Sequence, residues 1–330
     1  MQQDSHVAFP VMNAHFEPGG ADECVRQIED ADAHAIACAE LDYFRGSAEA
    51  AAAGAKPYLT SPDPVLRVPA NLISAYASLS LGRTSSARHC LERLIKDAST
   101  SSSSGDLLPT FGACMASTLL HLPSYQSTGL SAIFDQLPEG LRLYACYILA
   151  HRRYLEGGYS QSLGIIHGAR AMASYTYVIP NVYLGIMESI DLMSLKRIDE
   201  AKAAFMRARD IAHPDGLVEA FGEHHGLVGG LVEACLKRQY PDDYRLVIDI
   251  TYRFSAGWRR LHDPITEEDV ADNLTTTEFS IAMLVNRGWT NSEVARLLEV
   301  SENTVKYHLG HIYEKLGVNS RKDLGRHMLR

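Results

Sequence analysis

Residues 300–318 read VSENTVKYHLGHIYEKLGV. On a helix of 3.6 residues per turn, Val305, Leu309, Ile312, Tyr313 and Leu316 share one apolar face. The opposite face carries Asn303, Lys306, Tyr307, Gly310, His311 and Glu314. Lys306, His308, His311 and Lys315 suit a helix that lies against an acidic polymer. Gly310 is informative in this setting. Glycine costs a helix interior roughly 1 kcal/mol relative to alanine. In return the outward face has no side chain at that point, so a polymer surface can come close.

Three capped helices position this segment. TTTE at 275–278 and TNSE at 290–293 are capping boxes, in which Thr275 and Thr290 open helices and Glu278 and Glu293 reach back to them. The first helix stops at Gly288. The second is followed, after only EVS, by Ser301, which caps a third helix ending at Gly317. Asn319 or Ser320 opens a fourth helix, expected to run to about Leu329. Two short helices joined by so short a turn form a helix-turn-helix.

The charge distribution agrees. The chain of 330 residues has a net charge of -9. Residues 272–330 hold eight Lys/Arg against seven Asp/Glu, about +1, which leaves about -10 for the rest. Residues 303–330 alone hold six basic and two acidic residues, or +4. Salt screens charges beyond ~8–10 Å, so the local potential governs contact.

The segment LTTTEFSIAMLVNRGWTNSEVARLLEVSENTVKYHLGHIYEKLGVNSRKDL, 274–324, closely resembles the LuxR-type DNA-binding domain. The matching elements are Leu274-Thr275 with Glu278, Gly288 before Thr290-Asn291, Glu293-Val294-Ala295, Leu298, Ser301 through Lys306, His308, Ile312, Lys315-Leu316 and Arg321. The resemblance implies a four-helix domain whose third helix, about 302–316, enters the major groove of double-stranded promoter DNA. It also implies a homodimer, since the fourth helix commonly pairs two such domains on an inverted repeat. By position, Lys306, Tyr307 and Gly310 fall where the family reads or approaches bases, with Lys306 suited to guanine. Asn303, Thr304, Lys315 and Arg321 fall where phosphates are held, which positions the domain without specifying sequence. Tyr307 is bulkier than the residue often found there, and Gly310 lacks a side chain often used for base contact, so the preferred sequence does not carry over.

The preceding residues read as all-α. Residues 1–20, with Pro10, Pro18, Gly19 and Gly20, look like a flexible tail, and residues 21–261 form a helical domain. Four stretches share one shape, an aromatic or Leu-bearing helix, a short break, and a helix opening near a small residue. Aligning Ala48, Ala87, Ser162 and Ala201 gives gaps of 39, 75 and 39, and a weaker unit fits within the middle gap. The breaks Leu81-Gly82-Arg83 and Gly157-Gly158-Tyr159 suit tight turns, whereas Lys196-Arg197-Ile198 lacks glycine. These units resemble tetratricopeptide-type repeats, which implies stacked helix pairs with a continuous core and a concave groove. Residues 99–106, STSSSSGD, read as a solvated loop. Residues 262–273 read as an acidic linker, whose Asp263, Glu267, Glu268, Asp269 and Asp272 could lie against the basic face of the third helix.

Several front-end classes do not fit. No alternating strands suggest a phospho-receiver. Only Trp258 and Trp289 occur, unlike the Trp-rich acyl-homoserine-lactone domains. No GxxxxGKS or GxxxxGKT marks a P-loop. Residues 193–262 do resemble the last helical repeats of large LuxR-type regulators that carry an ATPase. His213, Glu223, His224 and His225 lack the i, i+4 histidine pair of a metal site, and no nucleophile constellation appears. Neither a metal, a cofactor nor an enzymatic activity is expected. Tyr144, Tyr147, Tyr154, Tyr175, Tyr177 and Tyr183 read as core residues with hydrogen-bonded tips, or as the lining of a ligand groove.

Six cysteines without a CxxC pair read as reduced thiols. No signal peptide is expected at MQQDSHVAFP, and the apolar run 141–150 is too short to span a bilayer. The expectation is a cytoplasmic, DNA-binding transcriptional regulator whose helical domain binds a small-molecule effector or a protein partner. The alternative is a helical interaction or oligomerisation scaffold for which DNA binding is secondary.

Overall fold

The computed structural model describes residues 7–100, 107–119, 129–262 and 274–326. Among them the chain is all-α, with no strand. Helices α1 (Ala21–Arg26), α2 (Ala31–Phe44), α3 (Ala48–Ala55), α4 (Pro64–Ser80), α5 (Thr84–Thr100), α6 (Leu107–Leu119) and α7 (Leu130–Ile133) form the first half. Next come α8 (Glu139–Leu155), α9 (Tyr159–Met172), α10 (Val178–Ser194), α11 (Ile198–Ala212), α12 (Glu219–Glu223) and α13 (His225–Leu231). A wide π-type turn, Val232–Leu236, leads to α14 (Pro241–His262). The final unit holds α15 (Thr276–Asn286), α16 (Asn291–Leu298) and α17 (Glu302–Leu316). No described helix is long and apolar enough to cross a membrane.

Pairs α2–α3, α4–α5, α8–α9 and α10–α11 are antiparallel hairpins with one turn chemistry. Each first helix ends at a residue of positive φ: Gly46 (79°), Gly82 (69°), Gly157 (80°) and Lys196 (60°). In each, the amide after that residue bonds back to the first helix, Ser47 to Asp42, Arg83 to Ser78, Gly158 to Arg153 and Arg197 to Leu192, at 2.8 to 2.9 Å. This is the Schellman closure of a helix C-terminus. The fourth turn adopts it without glycine.

Five residues beyond each positive-φ position stands a small, fully buried side chain: Ala51, Ala87, Ser162 and Ala201. The expected alignment therefore slips by three residues in its first unit. Ala51, rather than Ala48, is the counterpart of the others, because its amide bonds to Ser47 as Ala87 bonds to Arg83. Small residues there let the second helix lie close against its partner.

The expected flexible tail is instead placed against the domain over residues 7–20, and its first half enters the core. Phe9, Val11 and Met12 are buried, and the Phe9 ring meets Phe111 edge-on at 5.7 Å. Buried acidic side chains tie the segment down. Glu40 accepts from the amides of Val11 and Met12 at 2.9 and 3.1 Å. Asp215 accepts from those of Gly19 and Ala21 at 2.7 and 2.9 Å. Backbone amides buried in this way need such partners.

Two further expectations change. Ser99 and Thr100 close α5 rather than open a loop, while 101–106 lie outside the described residues. The fourth helix of the last unit is, over Arg321–Arg326, a 3-10 segment. The acidic linker also falls outside, since 263–273 are not described.

Candidate nucleic-acid interface

Both capping boxes form as their spacing dictates. Thr275 accepts from the Glu278 amide at 3.3 Å while Glu278 accepts from the Thr275 amide at 2.8 Å. Thr290 and Glu293 repeat this at 3.2 and 2.7 Å. Gly288 (φ 82°) ends α15 and Gly317 (φ 63°) ends α17. Between α16 and α17 the chain turns on Glu299, a non-glycine residue at φ 57°. Ser301 caps α17 by accepting from the Thr304 amide at 3.0 Å.

Val305, Leu309, Ile312 and Leu316 are buried and pack α17 on α15 and α16. That burial fixes which residues face outward. Asn303, Lys306, Tyr307 and Gly310 are all exposed on one face. Tyr307 is 65% exposed, and the His311 ring lies edge-on to it at 4.5 Å. Thr304 lies on the flank, half-buried, with its hydroxyl 2.8 Å from that of Ser301.

Lys315 and Arg321 are committed elsewhere. The Lys315 amine binds Glu278 at 2.7 Å. Burial pushes the Glu278 carboxyl up, but Lys315 and the two bonds with Thr275 outweigh it and hold the group below its usual range. The Arg321 guanidinium donates to the carbonyls of Val285 and Trp289. Arg321, half-buried, braces the unit internally, whereas Lys315 keeps an exposed side chain on the flank of α17, apart from the four.

The mounting of this unit is set by contacts far apart along the chain. Helices α15 and α16 pack against α13. Gly230 of α13 has no room to spare, since a Cβ there would meet Leu297 at 2.9 Å and Leu284 at 3.1 Å. Around this apolar seat run polar ties. Lys196 reaches both Glu293 oxygens at 2.7 and 2.8 Å, Lys202 binds Glu299 at 2.6 Å, and Arg296 binds Asp199 at 3.0 Å. Thr277 donates to Glu233 at 2.9 Å, and Arg287 donates to the carbonyls of Gly226 and Leu227. The seat holds α16 against the hairpins and leaves the Asn303–Gly310 face open.

The tyrosines divide. Tyr144, Tyr147 and Tyr183 are buried with Tyr43 and Tyr76 in one aromatic cluster, Tyr154 and Tyr177 are also buried, and Tyr175 is exposed. The cluster surrounds Glu223, whose side chain is fully buried and accepts from Tyr43 at 2.5 Å and from Tyr183. His224 joins it at 2.8 Å from the Tyr147 hydroxyl. Burial pushes Glu223 up to about 7, and burial with the neighbouring Glu223 pushes Glu219 up to about 8.

Helices α15 to α17, two of them joined by a tight turn, with the exposed side chains of the third, define a helix-turn-helix domain. Residues 272–328 match the family model of bacterial regulatory proteins, luxR family, so the C-terminal unit is a LuxR-family helix-turn-helix domain. The chain is 42% identical over 60 residues to the probable transcriptional regulatory protein SgaR of Hyphomicrobium methylovorum, covering 18% of this chain and 26% of that protein. It is 35% identical over 92 residues to the transcriptional activator protein CarR of Pectobacterium carotovorum, covering 27% and 38%. A longer similarity, 25% over 154 residues, relates 42% of the chain to 17% of the HTH-type transcriptional regulator MalT of Vibrio parahaemolyticus. The chain thus spans well under half the length of these relatives. No solved structure matches it.

Proposed function

We propose that this protein is a sequence-specific, DNA-binding transcriptional regulator that places α17 in the major groove of promoter DNA. The observation that carries the reading is the exposed face of α17, where Asn303, Lys306, Tyr307 and Gly310 stay open while the domain is seated on the hairpins. Lys306 is assigned to a guanine edge, Tyr307 and Gly310 to close approach, and Asn303 and Thr304 to phosphates. The protein acts as a homodimer on an inverted repeat, in the cytoplasm, without enzymatic activity or cofactor.

The hairpin domain is assigned the control of that activity, by a small-molecule effector or a protein partner. Its four shared turns support a tetratricopeptide-like architecture, and the polar seat supports transmission from hairpins to DNA-binding unit. A ligand acts here only by favouring one seating over another.

The test is selection of genomic fragments by the purified protein at two salt concentrations, beside Lys306→Ala. Discrete sites of dyad symmetry, lost in the variant, are expected. Binding that is blind to sequence and equal in both proteins would overturn the proposal.

A further inference from the structure

A cleft of about 350 Å³ separates the hairpin domain from the flank of α17. Lys237 and Arg238, at the exit of the π-type turn, form one wall, and Thr304 and His308 of α17 form the other. At 100° per residue, Thr304 and His308 stand about a third of a turn from the centre of the face formed by Asn303, Lys306, Tyr307 and Gly310, with Thr304 the nearer. A helix in a groove ~12 Å wide has base edges before it and a sugar-phosphate strand along each flank. Whatever stands across the cleft from Thr304 and His308 therefore faces a strand backbone.

The accessible charge there is two cations, Lys237 and Arg238, beside one exposed carboxylate, Glu299. Glu233 is buried and fully engaged, accepting from Lys237 at 2.8 Å, Tyr244 at 2.6 Å and Thr277 at 2.9 Å. Glu299 is answered by Lys202 at 2.6 Å. Lys237 is 46% exposed beyond its bond to Glu233. Arg238 is exposed and, among the described residues, makes no ion pair within 4.0 Å, although its charge acts on Glu299 across the cleft. A guanidinium on a wall beside a groove-reading helix matches a phosphodiester.

We infer that the hairpin domain supplies part of the DNA interface, with Arg238, supported by Lys237, binding a backbone phosphate beside the groove that α17 enters. This rests on the DNA-binding reading above and extends it across the domain boundary. The seat between the domains then sets binding directly, because moving α13 and the turn after it moves a phosphate contact relative to the reading helix.

The experiment uses the full chain and a duplex that the protein selects from a random-sequence pool, with a scrambled duplex alongside. Affinity is measured by fluorescence anisotropy across a salt series for the wild type, Arg238→Ala, Arg238→Lys, Lys306→Ala and Arg88→Ala, the last removing an equal charge from α5. Arg238→Ala is expected to weaken both duplexes by a similar factor and to reduce the salt slope by about 1, with Arg238→Lys restoring it. Lys306→Ala is expected to weaken only the selected duplex. A salt slope in Arg238→Ala equal to that of wild type and Arg88→Ala would overturn the inference, while the Lys306 effect still upheld DNA reading. If the wild type did not distinguish the duplexes and Lys306→Ala changed nothing, the DNA reading itself would fail, and this inference with it. Thermal stabilisation by inorganic phosphate that Arg238→Ala abolishes, with an unchanged DNA salt slope, would make the cleft a site for a free anion and also overturn it.

Discussion

Gly310→Ala separates what the helix needs from what DNA needs. Gly310 lies inside α17, exposed, and a Cβ built there meets nothing within 4 Å. The free protein therefore has no steric objection to alanine. Alanine is the better helix former by about 0.8–1 kcal/mol, so the variant should be more stable by about that amount. With a urea slope of ~2–3 kcal/mol/M, the midpoint rises by a few tenths molar. On DNA the sign reverses. If α17 lies with Gly310 against the groove, the added methyl forces the helix back, and overpacking of that kind costs about 1–3 kcal/mol. That corresponds to a loss of roughly 5- to 150-fold in affinity for a selected duplex. Urea unfolding and anisotropy titration on one preparation read both effects. Should affinity hold or rise along with stability, the glycine would not serve close approach, and α17 would not lie with Gly310 against the groove. A less stable variant would refute the reading of its surroundings.

The buried carboxyls predict an unusual pH dependence. In the fold Glu223 is held up to about 7 and Glu219 up to about 8 by burial, against an ordinary value of 4.5. The folded state keeps protons that the unfolded chain releases, so stability is greatest near and below the ordinary value and falls as pH rises towards the folded ones. Each group contributes up to about 1.4 kcal/mol per pH unit across that window. Glu223→Gln keeps an acceptor for Tyr43 and should flatten the urea midpoint against pH between about 5 and 7; an identical slope would remove Glu223 from the account. Phe9→Ala should cost about 3–5 kcal/mol, since the ring is 1% exposed and packed on Phe111. A loose tail would show no change in the same melt.

What could be read in the sequence was what neighbours decide. Thr275 with Glu278 and Thr290 with Glu293 bind within three residues, so their letters suffice to place two helix starts. The outward face of α17 follows equally from its own periodicity. What could not be read depends on partners far along the chain. Residues 7–20 look like a tail because Pro10, Gly19 and Gly20 break every pattern, and the acceptors that order them, Glu40 and Asp215, are up to 196 residues away. The three-residue slip at Ala48 has a plainer cause: in a helix of near-continuous alanine, composition cannot tell Ala51 from its neighbours, and only the turn at Gly46 sets the register. Lys315 and Arg321 have partners within the unit that position alone does not reveal, Glu278 for one and the carbonyls of Val285 and Trp289 for the other. Their charges fit a phosphate as well as they fit Glu278 or a carbonyl, and packing decides which partner is near.

The fourth hairpin turn has a consequence of its own. At Gly46, Gly82 and Gly157 the left-handed backbone costs little, but Lys196 adopts φ 60° with a full side chain, at a cost of roughly 1 kcal/mol. That side chain is the one that grips both oxygens of Glu293 and lies 5.9 Å from the centre of the Trp289 ring. The joint that sets the angle of the last hairpin is thus also its clasp on the reading head. Among the four hairpin turns, the one built without glycine is therefore also the one whose left-handed residue has a side chain to spend on the neighbouring domain.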